Sequence, residues 1–151
     1  MVVARLLTVV CALAIAAAPG PAAAEPPLGA VPLEGSVAMD LAPVQAVLAE
    51  AAAGGASDHA AILAAITALA PDAAPRESLI DLRRDSAEGG RRFRATAIFD
   101  AVPDDDSVSG QRFDLVFATD DSGRLVALEG RRAWRCWPDR GHRSFSAERC
   151  R

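Results

Sequence analysis

From residue 92 onward the chain alternates, and that alternation limits the fold more than any other feature of the sequence. In Arg92 to Ala101, Phe93, Ala95, Ala97 and Phe99 fall on one side and Arg92, Arg94 and Thr96 on the other. Gln111 to Thr119 repeats the pattern, with Phe113, Leu115 and Phe117 set against Arg112, Asp114 and Val116. Side chains of a strand alternate between its two faces, so this period of two predicts half-buried strands. A slip of one residue would turn every phenylalanine toward water, so the register is strongly specified. Leu79 to Arg84 predicts a shorter strand and Arg124 to Arg135 a long final one. The segments between them, SAEGG at 86–90, VPDDDSVSG at 102–110 and DDSG at 120–123, carry turn residues. Connections this short join antiparallel neighbours, so the expected sheet is a four-stranded meander.

Before residue 72 the period is helical. Asp40 is placed to cap a helix starting near Leu41, and Pro43 falls in the first turn, where no intrahelical N–H is needed. Leu41, Val44, Val47 and Leu48 recur on one face until Gly54–Gly55 stops the run. Ser57 caps a second helix, Ile62, Leu63, Ile66 and Leu69 form its apolar stripe, and Pro71 ends it. The expected fold is therefore α+β: an N-terminal helical hairpin packed on a four-stranded antiparallel meander. That plan resembles cystatin-like and nuclear-transport-factor-like folds. The likeness is one of architecture and implies no activity.

The first 27 residues, MVVARLLTVVCALAIAAAPGPAAAEPP, set one arginine before an apolar run, a Pro/Gly break and small residues. This is the pattern of a secretory signal, expected to span residues 1–24 and to be removed between Ala24 and Glu25 with Cys11 inside it. The apolar run is too short to span a bilayer, so no transmembrane segment is expected in the mature chain. Export, to a periplasm or outside the cell, follows. Residues 25–38, with three prolines and two glycines, read as an extended mobile leader. Residues 39–151 then form one domain. Two cysteines remain, Cys136 and Cys150, and in an oxidising compartment an even pair predicts a disulfide that closes the C-terminal loop.

That loop raises the question of function. Arg131, Arg132, Trp134, Arg135, Trp137, Arg140, His142 and Arg143 crowd around the two cysteines. Residues 123–151 hold eight arginines and three acids, whereas residues 25–122 hold 17 acids and seven arginines. Cys136, His142 and Cys150 lack the C-x2-C knuckle and fourth ligand of a structural zinc site, and disulfide formation removes both thiolates, so neither metal nor cofactor is expected. No G-x-S-x-G elbow activates Ser144 or Ser146, and no phosphate-binding glycine loop is present. Counted from Asp104, positions six and twelve of an EF-hand would be Ser109 and Leu115, which cannot serve the turn or ligate calcium. The excess of acids over the whole chain argues against nucleic acid.

Two readings of the loop remain. In one, the tail is a binding surface, because tryptophan and arginine dominate binding hot spots and guanidinium groups grip carboxylates and phosphates. Its partner would be an anionic envelope component or an acidic protein. In the other, Trp134 is core, Trp137 covers the disulfide, and the arginines pair with Asp104 to Asp106 and Asp139. Both make the chain a small non-catalytic binding or structural module. The alternative is a carboxylate-based hydrolase of the envelope, resting on an acid such as Asp114 or Glu129 held in a pocket.

Overall fold

A computed structural model describes residues 27–72, 74–85, 91–103 and 106–151. The expected signal at 1–24, the SAEGG turn and the carboxylates Asp104 and Asp105 lie outside those residues. The fold is α+β. Among the described residues, a turn of 3-10 helix (Leu28–Ala30) and a short strand β1 (Val37–Ala38) precede helices α1 (Ala42–Ala53) and α2 (Asp58–Thr67). Strands β2 (Glu77–Asp85), β3 (Arg92–Asp100), β4 (Val108–Thr119) and β5 (Leu125–Cys136) follow. All pairings are antiparallel, in the order β1-β5-β4-β3-β2, so the sheet has five strands rather than four. No described helix is long and apolar enough to cross a membrane.

The alternation sets the register. Across β3 and β4, Phe93 pairs with Phe117, Ala95 with Leu115 and Ala97 with Phe113, all on the face that the helices cover. Val44 and Leu48 of α1 and Ala61, Ile62, Ala65 and Ile66 of α2 complete this core. Leu63 points outward at 43% exposure, and the alanines take its expected place in the stripe, which lets α2 lie close to the sheet. Four residues, Gly54 to Ser57, join the helices. The Ser57 hydroxyl accepts the Ala60 N–H, and the Asp40 carboxylate accepts the Ala42 N–H one residue ahead of the α1 cap at Leu41. Gln45 fixes α1 to the sheet: its side chain donates to the Ala127 carbonyl at 2.8 Å and accepts the Ala127 N–H at 3.2 Å. The ladder shifts register at that point, so Leu128 bulges outward and is exposed.

The opposite face is covered at one end by both ends of the described chain. Val31, Ile98, Ala133 and Phe145 form a second core, with Leu28 and Leu79 packed against it. Phe145 donates its N–H to the Pro32 carbonyl and accepts the Glu34 N–H, each at 2.8 Å. Val37 and Ala38 pair with Arg132 and Arg131. The expectation of a mobile leader is thereby corrected for residues 28–38. They belong to the domain, because an extended segment with a few apolar side chains can be held by a sheet edge and by a hydrophobe from the other end of the chain. The outer edge, β2, carries the charged residues Glu77, Asp81, Arg83, Arg84 and Asp85, which discourage edge-to-edge pairing.

The turn after β4 has its own pH limit. The Asp120 carboxylate accepts from the Ser122 hydroxyl and from the N–H groups of Ser122 and Arg124, and the Ser122 hydroxyl chiefly pulls its pKa down to about 2. A depressed carboxyl pKa stabilises the folded turn above the unfolded value of about 3.9 and loses that contribution as pH falls toward the folded one. The Ser122 and Arg124 amide resonances should therefore hold their shifts down to about pH 4 and move together as pH falls toward 2. Movement centred at pH 4 or above would show the carboxylate unbound.

Candidate functional site

The eight tail residues do not form one surface. Alternation along β5 sends Arg131, Ala133 and Arg135 to the face of the second core, and Arg132 and Trp134 to the helix face, where Arg132 opposes Phe113. Trp134 is 4% exposed and is sandwiched by charge: the Arg149 guanidinium lies 4.3 Å and that of Arg132 5.2 Å from its ring. Burial first, and then the nearby Arg149 charge, lower the pKa of Arg132 from the usual arginine value. Arg131 reaches Ser36, with Nε donating to Oγ at 2.7 Å. Trp134 is thus core, and the expectation that it and Trp137 stand together on the surface is not met.

The disulfide lobe follows. Cys136 and Cys150 are joined, with sulfurs 2.14 Å and Cα atoms 5.5 Å apart. In the chain-entropy account a loop of this size is worth about 3 kcal/mol. The Cys136 N–H donates to the His142 carbonyl, and Gly141, at φ 146°, brings bare backbone against the Cys136 sulfur, where a Cβ would stand 2.8 Å away. His142 sits inside this ring, with Nδ1 2.9 Å from the Ser144 carbonyl oxygen and Nε2 3.5 Å from Cys136 Sγ. Arg140 is exposed and holds the lobe through its backbone, donating to the Trp137 carbonyl and accepting the Arg151 N–H.

Where the lobe meets the sheet there is a cavity of about 160 Å³, lined by Glu77, Asp100, Ala101, Ser109, Arg135, Trp137 and Arg143 among others. Its floor is a buried ion pair between Arg135 and Asp100, whose side chains are 5% and 8% exposed. Asp100, Gly110 and Arg135 lie abreast on three neighbouring strands. The Asp100 carboxylate crosses over Gly110, where any Cβ would overlap its Oδ1, so glycine at 110 is a condition of the pair. Asp100 Oδ2 accepts from Arg135, while Asp100 Oδ1 and Ser109 Oγ are buried with no hydrogen-bond partner among the described residues. A buried polar atom without a partner costs about 1–3 kcal/mol, and both of these belong to residues of the cavity lining. Ala101 beside them holds φ 51°, a conformation that costs an L-residue about 1–2 kcal/mol, and such outliers gather at functional sites.

Of the eight sequence candidates, Arg135, Trp137 and Arg143 meet at this cavity, and Asp100, Ser109 and Glu77 join them. Sequence reasoning missed those three, since only the register of β2, β3, β4 and β5 brings them together. The two carboxylates considered for hydrolysis are placed elsewhere. Asp114 is ion-paired with Arg112 at 2.9 Å and accepts from Thr96 Oγ1 at 2.7 Å, and Glu129 is exposed, 4.0 Å from Arg92. The pairing of the arginines with acids of the 104–106 loop falls largely outside the described residues, and the ion pair seen for Arg135 is with Asp100. No protein-family model, curated protein or solved structure shows significant similarity to the chain.

Proposed function

We propose that this chain is a non-catalytic exported binding module, and that the cavity at the root of its disulfide lobe takes one unit of an anionic envelope polymer, a sugar ring that carries a carboxylate. One observation carries the reading: Asp100 and Ser109, two residues of the cavity lining, each keep a buried side-chain oxygen with no hydrogen-bond partner among the described residues, so a ligand that brings hydrogen-bond donors suits the lining. Hydroxyl groups both donate and accept, which suits a carboxylate, a serine hydroxyl and a guanidinium set side by side. Trp137 supplies an apolar ring face for the C–H surface of a sugar, and Arg143 supplies the cation for its carboxylate. The two acids and two arginines of the lining cancel in formal charge, so the floor selects a hydroxylated body and the arginine selects the anion. Export supports the reading through the leader at 1–24 and the disulfide, since both suit an oxidising envelope.

Oligogalacturonate is the probe, with a neutral glucan oligomer of equal length as control. Titration followed by tryptophan fluorescence and calorimetry should show saturable binding of the acidic oligomer alone. Arg143→Glu should abolish it while the variant keeps the far-ultraviolet dichroism of the folded chain. Equal binding by Arg143→Glu, or no saturable signal from either oligomer, rejects the site.

A further inference from the structure

We propose that, once the Cys136–Cys150 disulfide is reduced, Cys136, His142 and Cys150 form a binding site for a thiophilic metal ion of the zinc(II) class. The ligand atoms of these three residues lie within 4.8 Å of one another. Tetrahedral zinc with Zn–S near 2.3 Å and Zn–N near 2.0–2.1 Å places a sulfur and a nitrogen about 3.6 Å apart. Cys136 Sγ and His142 Nε2 already stand at 3.5 Å. Two zinc-bound sulfurs stand about 3.8 Å apart, a separation that side-chain rotation reaches once the S–S bond is gone, because the Cα atoms are 5.5 Å apart.

The histidine is also oriented as a ligand. In the tautomer whose Nδ1–H donates to the Ser144 carbonyl at 2.9 Å, Nε2 carries the lone pair, the backbone-carbonyl arrangement of metal-bound imidazoles. In the other tautomer Nε2–H donates to the Glu148 carbonyl at 3.1 Å, and a cation bound at Nε2 takes the place of that proton. Cys136 is buried, while Cys150 and His142 are half-exposed, so an ion enters from the solvent side and a water completes its coordination.

The chemistry balances with a dithiol as reductant. The S–S bond accepts two electrons and two protons, the dithiol becomes a disulfide, and the chain holds two thiols. Binding of M²⁺ then releases both thiol protons and leaves a neutral bis-thiolate, imidazole complex. The same three residues thus brace the lobe when oxidised and ligate when reduced, and the cavity of the preceding section is not involved.

Cadmium(II) is the probe, because its thiolate charge-transfer absorption reports ligation directly. The full chain, reduced with a dithiol and then freed of excess reductant under anaerobic conditions, should develop that band with one equivalent of Cd²⁺, and the oxidised chain should not. Cys150→Ser should lose the band. His142→Ala should weaken binding by at least about tenfold, the scale on which even the loss of an outer partner of a metal ligand is felt. Equal affinity in wild type and His142→Ala overturns the site, since two loose thiolates would then suffice. A reduced chain that loses its tryptophan near-ultraviolet dichroism and does not regain it with Cd²⁺ overturns it as well.

Discussion

Arg135→Ala should destabilise the fold by about 3–5 kcal/mol, because it leaves the Asp100 carboxylate buried without its counter-charge. The two side chains are 5% and 8% exposed, and the Asp100 carboxylate lies against the Gly110 backbone. In a domain of this size the loss should appear as a fall in melting temperature of about 10–20 °C. The companion result separates charge from packing. Replacing both partners with apolar residues, as in Asp100→Leu with Arg135→Met, should recover most of the stability, since an ion pair and a hydrophobic pair of similar volume are often near equivalence. Urea unfolding of the two single variants and the double variant makes the comparison. A loss below about 1 kcal/mol for Arg135→Ala would mean that water in the cavity solvates Asp100 fully. The cavity would then be a hydration site, and the proposed sugar would have to displace that water.

Phe145→Ala should cost about 3–5 kcal/mol by the same measurement, as expected when a fully buried phenylalanine is truncated. Phe145 is 0% exposed and is the residue on which Val31, Ile98 and Ala133 converge. The effect should also be local in a way that a general loss of stability is not. The Glu34 amide, which donates to the carbonyl of residue 145, should exchange with solvent far faster in the variant, and the Phe117 amide in the main core should be affected much less. Equal acceleration at both positions would show that the two cores unfold as one unit.

The main sheet was legible because each central strand keeps a regular apolar face. Phe93 to Phe99 and Phe113 to Phe117 could not sit otherwise without exposing aromatic rings, and the structure pairs them as that requirement demands. The helices were legible from caps and stops, although Leu63 was assigned inward. Periodicity cannot tell which side of an alanine-rich helix is the tight one. The docking of residues 28–38 was not legible, because its partners, Phe145 and the edge of β5, lie more than ninety residues away along the chain and leave no local pattern. The cavity was half legible. Arg135, Trp137 and Arg143 were candidates from composition, but Asp100 and Ser109 come from other strands, and Gly110 matters only because of what crosses it. Trp134 and Arg135 are neighbours in sequence, yet they fall on opposite faces of β5. The final strand was expected to run to Arg135, and the rule of alternation that ordered β3 would have separated adjacent residues there too.

The meeting of the two ends at Phe145 has a consequence for how the molecule is made. The stretch around Val31 comes long before Phe145 in the chain, so it cannot seat until residue 145 is present. A product terminated shortly before residue 145 would keep the helices and the central hairpins, yet one side of its sheet would be bare of both coverings. The arrival of residue 145 is what covers that side of the sheet.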